Sequence, residues 1–195
     1  MNLTIRHGFA EADRAEVAAL YWQAFGPKLG RVLSPEPKAL VFVARVMRAD
    51  HALAAYDEAG RFLGVAGFKS QRGAFVGGRP SDLAAVYGRF GGRWRAVLLH
   101  LLARNVENER FLMDGLFVRA DSRGRGIGSA LLQAVMAEAA RRGYREVRLD
   151  VVDSNPRARA LYERHGFRAL FQARLGLLRL IFGFGTATAM VRPVD

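Results

Sequence analysis

The stretch 123–129, with the sequence RGRGIGS, combines residue types that suit the binding of an anion. Its glycines alternate with other residues, at Gly124, Gly126 and Gly128. Glycine lets backbone N–H groups approach a ligand without side-chain obstruction. The helix that the following apolar run predicts, over about 126–142, adds N–H donors and a partial positive charge at its first turn. Arg123 and Arg125 can add charge-assisted contacts. The sequence therefore predicts a site for a phosphate or a pyrophosphate.

Three known glycine-rich loops have to be distinguished. A P-loop ends in Gly-Lys-Ser or Gly-Lys-Thr, and that ending is absent. The dinucleotide-binding fingerprint needs a different glycine spacing, although Asp150 or Asp153 could supply the acidic residue that follows it. The third pattern, Arg/Gln-x-x-Gly-x-Gly/Ala, is matched by Arg123, Gly126 and Gly128.

A second pattern, Asn-x-x-Ala-x-x-Leu-Tyr-x-x-x-Gly-Phe, follows the next predicted strand. Its members are Asn155, Ala158, Leu161, Tyr162, Gly166 and Phe167. The two patterns span about 55 residues with the strand–helix–strand order around them. Together they resemble the GNAT superfamily of acyl-CoA-dependent N-acetyltransferases. The resemblance implies an enzyme that moves an acetyl group from acetyl-CoA to a primary amine by direct attack in a ternary complex.

The resemblance also implies which residues bind the cofactor. The pyrophosphate contacts backbone amides of the glycine turn, and the pantetheine arm pairs with the edge of the preceding strand, where one amide polarises the acyl carbonyl. Asn155 contacts the pantetheine, although an Asn before Pro156 is also a good helix N-cap. The cofactor-binding residues so implied are Leu116, Phe117, Val118, Arg123, Gly124, Arg125, Gly126, Ile127, Gly128, Ser129, Asn155 and Tyr162.

Three residues are implied to act in catalysis. Tyr162 matches the general acid that protonates the departing thiolate, and a tyrosine with pKa ~10 holds its proton at pH 7. An amine with pKa ~10.4 needs help in losing its proton, from a base or a desolvating pocket. Asp150 is favoured as this base, with Asp114 as the other candidate. Both carboxylates could instead pair with arginines and serve the structure.

Periodicity and helix breakers predict the elements that position these residues. Strands are predicted at 3–6, on both sides of the turn EAG (51–57 and 61–70), and at 110–118, 146–153, 167–170 and 186–193. Helices are predicted at 10–25, where FGPKLG ends the first, from Ser34-Pro35 through 47, at 126–142 and at 156–165. The stretch 75–105 predicts a helical hairpin or one bent helix, divided at Gly91–Gly92.

The order strand, helix, strand over 110–153 predicts two parallel strands with a right-handed crossover. Taken with the resemblance, it implies an α/β fold (α+β by some schemes). The expected architecture is a GNAT-like mixed central sheet of about six to seven strands flanked by helices. A helical insertion, about 79–105, precedes the fourth strand. We expect one acyl-CoA N-acyltransferase domain over 1–195, with a CoA-binding core at about 110–168.

The formal net charge is +12, which favours anionic partners such as nucleic acid, lipid headgroups or a phosphorylated cofactor. A generally basic surface is the alternative explanation. A nucleic-acid-associated protein, including one that acetylates charged tRNA, stays open, although no recognised nucleic-acid-binding module is apparent. A sensor that binds acyl-CoA without catalysis also stays open.

The expected partner is a small-molecule or peptide amine, and a homodimer is left open. With no cysteine, no signal-peptide pattern and no run of 18 apolar residues, we expect a cytoplasmic protein without a membrane span. The four histidines lack metal-ligand spacing, so no metal is predicted. The apolar stretch 171–185 could cover an acceptor or acyl chain, touch a membrane or another subunit, or add core packing.

Overall fold

A mixed sheet forms the centre of the molecule, and the computed structural model describes residues 2–102, 110–174 and 185–194. The strands are β1 (Thr4–His7), β2 (Ala52–Tyr56), β3 (Phe62–Ser70), β4 (Gly73–Ala74), β5 (Phe111–Val118), β6 (Glu146–Val152), β7 (Arg168–Arg174) and β8 (Thr186–Pro193). Their order is β1-β2-β3-β5-β6-β8-β7, with β4 paired to β3. The pair β5–β6 is parallel and the other described pairs are antiparallel. The predicted mixed sheet is confirmed.

Helices cover both faces of this sheet. They are α1 (Arg14–Leu33), α2 (Glu36–Val46), α3 (Pro80–Leu102), α4 (Ile127–Arg141) and α5 (Pro156–Arg164). Buried side chains of α1, α2 and the start of α3 fill one face, and those of α4 and α5 fill the other. Within the described ranges, no helix combines the length and the apolar character needed to cross a membrane.

The first helix is longer than the sequence predicts. Pro27 lies inside α1, where we expected FGPKLG to end the helix. An interior proline costs about 3 kcal/mol relative to alanine. The helix nevertheless continues because its last turn buries Val32 and Leu33 almost completely, at about 1.5–3 kcal/mol for each such side chain. The predicted break was wrong because tertiary packing outweighs the local penalty.

The predicted helical insertion precedes the fourth long strand as α3, but it bends at a different glycine. Gly88 has φ 75° and ψ 165°, a conformation that other residues rarely adopt, so the bend lies there and not at Gly91–Gly92. Gly92 serves close packing instead, since a Cβ on it would lie 2.6 Å from the backbone nitrogen of Ala84. Residues 103–105 of the predicted insertion lie outside the described residues, as do 175–184 of the apolar stretch after the start of β7.

Candidate functional site

Strands β5 and β6 separate soon after they meet, and this fork is the centre of the candidate site. They pair only at Phe111–Val147 and Leu112–Arg148. Beyond that point β5 stays paired with β3, and β6 stays paired with β8. The second half of β5 therefore keeps one edge that no described strand covers.

The direction of the backbone groups on this edge follows from one hydrogen bond. The N–H of Arg119 donates to the carbonyl of Leu63 on β3, at 2.9 Å. Since N–H groups alternate in direction along a strand, those of Leu116 and Val118 point away from β3 and into the fork. The Nε of Arg123 donates to the Val118 carbonyl at 3.2 Å, which also places that carbonyl on the fork side. Leu116 and Val118 thus offer backbone groups to an extended ligand.

A cavity of about 580 Å³ opens at the fork. Its walls come from α1, from the second half of β5, from the glycine turn with the start of α4, and from α5. The lining residues are Leu20, Gln23, Ala24, Leu116, Phe117, Val118, Ser122, Arg123, Gly124, Gly126, Ile127, Gly128, Ser129, Asn155, Arg157, Ala158, Leu161, Tyr162 and Arg164. Elements that are distant in sequence therefore meet around one space.

The three glycines of the turn have different tasks. Gly124 and Gly126 both have φ 79°, and a Cβ on either would meet no other atom within 4 Å. They let the backbone turn sharply and leave open space above its N–H groups. Gly128, the second residue of α4, serves packing, since its Cβ would lie 3.3 Å from a methyl group of Leu161. The turn can thus accept an anion at the N-terminus of α4.

Hydrogen bonds and ion pairs of Arg119 and Asp121 hold the segment that precedes the glycine turn. The carboxylate of Asp121 accepts hydrogen bonds from Arg119 (3.1 and 3.2 Å), from the hydroxyl of Ser122 (2.9 Å) and from Arg61 (2.6 Å). The hydrogen bonds from Arg119 and Ser122, followed by the charge of Arg119, hold the pKa of Asp121 well below its usual range. Arg119 also forms an ion pair with Glu16 on α1. These contacts fix the position of residues 119–122, which lead into the glycine turn.

Helix α5 brings two of the predicted residues to the cavity. The Oδ1 of Asn155 accepts a hydrogen bond from the N–H of Ala158 (3.1 Å), which makes Asn155 the N-cap of α5 as well as a lining residue. Tyr162 is 7% exposed, and burial raises the pKa of its hydroxyl to about 12. Among the described residues, none forms a hydrogen bond with that hydroxyl, so its proton is available to a ligand.

The two carboxylates considered as bases lie just past the last paired positions of the fork. The register between β3 and β5 shifts so that Asp114 is an extra residue in β5, a β-bulge. Its Oδ1 lies 3.2 Å from the Nζ of Lys69. Asp150 lies on β6, with its Oδ1 3.6 Å from a guanidinium nitrogen of Arg148. Burial and the charge of Asp114 raise the pKa of Tyr21 on α1 well above its usual range.

The cofactor-binding residues that the sequence predicts line the cavity, with the exception of Arg125. The two candidate bases, Asp114 and Asp150, do not line it. Two further lining residues, Arg157 and Arg164, lie seven residues apart on α5 and were not among the predicted residues. Helical spacing from Leu161 could have found them, since residues 157, 161 and 164 share one face. Nothing in the sequence indicates the α1 residues Leu20, Gln23 and Ala24, because only the tertiary fold brings them here.

Comparison with known proteins gives consistent results. The model of the acetyltransferase (GNAT) family matches residues 14–167. The chain is similar to an N-acetyltransferase from Staphylococcus aureus Mu50, with 16% identity and a TM-score of 0.66 over 97% of this chain and 100% of that one. A GCN5-related N-acetyltransferase from Kribbella flavida gives 20% identity and a TM-score of 0.63 over 98% and 97%.

The protein yncA from Salmonella typhimurium, whose structure includes its cofactor acetyl-CoA, is also similar in fold. It has 17% identity and a TM-score of 0.58 over 100% of this chain and 95% of its own. No curated protein matches the chain. At these identities the solved structures establish the fold alone. The match to the family model over residues 14–167 also establishes the family.

Proposed function

The chain belongs to the GNAT family of acetyltransferases, and from this premise we propose that it transfers an acetyl group from acetyl-CoA to a primary amine by direct attack in a ternary complex. One observation carries the proposal. The fork cavity brings together the glycine turn, the uncovered edge of β5 and the hydroxyl-bearing Tyr162. Acetyl-CoA supplies the acetyl group as a thioester, and the chain's own residues bind it, orient it and move protons.

The residues present fit the chemical parts of this co-substrate. The N–H groups from Arg123 to Gly128 suit the diphosphate, because the open space above Gly124 and Gly126 is what a side chain would otherwise fill. The backbone groups of Leu116 and Val118 suit the amides of the pantetheine arm, which would add to β5 like a further strand. One of these N–H groups then polarises the acyl carbonyl.

Tyr162 protonates or hydrogen-bonds the thiolate that leaves. Its pKa of about 12 keeps the proton on the hydroxyl throughout the neutral range. Since a thiol has a pKa of ~8.5, complete proton transfer from such a tyrosine is uphill, and a strong hydrogen bond to the sulfur supplies most of the effect.

Asp150 is the base that we propose, with Asp114 in a positioning role. An amine with pKa ~10.4 is neutral in only about one part in 2500 at pH 7, a penalty of ~4.6 kcal/mol that a carboxylate and its ordered water can reduce. The ammonium of Lys69 lies 3.2 Å from Oδ1 of Asp114 and pairs with that carboxylate. Asp150 lies on β6, the strand that follows α4, where some members of the family carry a glutamate base. Asp150 is therefore favoured over Asp114 as the base.

The acceptor is expected to be a small-molecule or peptide amine. The test is the release of free thiol from acetyl-CoA in the presence of a panel of such amines, with mass spectrometry of the acetylated product. Turnover with at least one amine supports the proposal. Binding of acetyl-CoA without turnover across the panel would favour the sensor instead.

A further inference from the structure

The second half of α3 carries an apolar face that no described residue covers. Phe90 is 91% exposed, Trp94 44% and Val97 63%. Their spacing, i, i+4 and i+7, places the three side chains on one face of the helix. Large apolar side chains that are exposed singly need no explanation, but a row in helical register marks an interaction surface.

The opposite face of the same helical segment is fixed to the protein. Gly92 is buried against the backbone of Ala84, and Ala96 and Leu99 pack against the core of α1 and α2. The guanidinium of Arg95 lies 4.1 Å from the ring centre of Tyr87 and 4.2 Å from that of Trp94, and it donates to the carbonyl of Ser34. The exposed ring of Trp94 is therefore held in place before any partner arrives.

The charge of this surface has one sign. Arg89 and Arg93 are exposed around the apolar row, and residues 83–102 contain no aspartate or glutamate. Large apolar side chains flanked by arginines on one helix are the pattern of helices that lie in the headgroup region of an anionic membrane. There the rings enter the acyl boundary while the guanidinium groups stay among the phosphates.

We propose that this surface, formed by Arg89, Phe90, Arg93, Trp94 and Val97, docks the protein on an anionic lipid bilayer. A symmetric self-interface is disfavoured, because it would bring the arginines of two copies together. A nucleic acid would use the arginines and the rings but would leave Val97, exposed by 63%, without a role. The inference does not depend on the proposed reaction.

The test is flotation of the full chain with vesicles of phosphatidylcholine mixed with phosphatidylglycerol, compared with phosphatidylcholine alone. We expect binding to the anionic vesicles, weakened by added salt. In a Trp22→Phe background, which leaves Trp94 as the one tryptophan of the sequence, the emission should shift to shorter wavelength on binding. No binding to anionic vesicles would overturn the inference.

Two double variants separate the apolar from the charged contribution. Phe90→Ser with Trp94→Ser should lower vesicle affinity by more than about 100-fold, and Arg89→Gln with Arg93→Gln by about 30-fold. The control is Leu170→Ser, an exposed apolar residue on the edge strand β7, which should bind like the parent. Equal binding by all variants would overturn the inference. So would a dimer that Phe90→Ser with Trp94→Ser dissociates, or RNA binding in place of vesicle binding.

Discussion

The two faces of the sheet depend on different kinds of interaction. On the α4–α5 face, the site depends on backbone conformation over short stretches, namely the positive φ of Gly124 and Gly126 and the N-cap of Asn155. On the α1–α3 face, shape depends on contacts between residues far apart in sequence, such as the packing that keeps α1 helical past Pro27. The proposed cofactor site thus depends mainly on local backbone conformation, whereas the α1–α3 face depends on tertiary packing. Substitutions on one side should therefore spare the function of the other.

The largest expected effect is on the cofactor side. Gly126→Glu should weaken acetyl-CoA binding by about a thousandfold, because a carboxylate about 4 Å from the diphosphate costs ~4 kcal/mol near a protein surface. The matched control is Gly143→Glu, which has φ 77° and open space at the other end of α4. Calorimetric titration should show loss of binding in the first variant alone. Equal affinities in the two variants would contradict the assignment of the turn.

The next effect separates catalysis from binding within the same cavity. Tyr162→Phe should lower kcat by about 100-fold and leave acetyl-CoA affinity nearly unchanged, because a weakly acidic hydroxyl contributes at the lower end of general-acid effects. Steady-state kinetics and titration measure the two quantities. In the parent enzyme, ionisation of Tyr162 should not reduce the rate until the pH approaches its pKa of about 12. An unchanged kcat in the variant would remove the proposed acid role.

A third substitution tests whether the α1–α3 face is independent. Gly92→Ala should lower the free energy of unfolding by about 1–3 kcal/mol, since its Cβ would lie 2.6 Å from backbone atoms of Ala84. Its neighbour is the control, because in Gly91→Ala the tightest contacts are at 3.3 Å. That variant should be as stable as the parent or slightly more stable. Acetyl-CoA affinity should be unchanged in both, and a parallel loss of affinity would mean that the two faces are coupled.

The smallest expected effect concerns the base. Asp150→Asn should lower the rate at pH 7 by about tenfold and move the rate profile to higher pH, because the amine must then lose its proton unaided. The difference in rate between Asp150→Asn and the parent enzyme should vanish as the pH approaches the pKa of the amine. Asp114→Asn should instead lower the rate at every pH by a similar factor. If Asp114→Asn shifts the rate profile to higher pH and Asp150→Asn lowers the rate equally at every pH, then Asp114 is the base and Asp150 the positioning residue.

The features that the sequence predicts are those that depend on local residue types, and the features it misses depend mainly on tertiary contacts. The glycine turn, the N-cap at Asn155 and the short parallel pairing of β5 and β6 follow from local residue types and element order, and the structure places them as expected. The continuation of α1 past Pro27 could not be predicted, because it depends on the burial of Val32 and Leu33 against distant residues. For the bend in α3 the sequence offers Gly88, Gly91 and Gly92, and their spacing does not show which of them takes the positive φ that the structure places at Gly88. The position of Gln23 in the cavity wall could not be predicted either, because only the tertiary fold brings α1 to the cavity. The sequence identifies the two candidate bases by type and predicts arginine partners such as Arg148, which lies beside Asp150, but it does not predict Lys69 beside Asp114.

The central claim is that main-chain donors at the fork hold acetyl-CoA, and amide hydrogen exchange measures those donors directly. On addition of coenzyme A, we predict slower exchange of the N–H groups of residues 124–128 and of Leu116 and Val118. Exchange in α3, on the other face, should be unchanged. Protection confined to other regions, or no protection at saturating coenzyme A, would contradict the account.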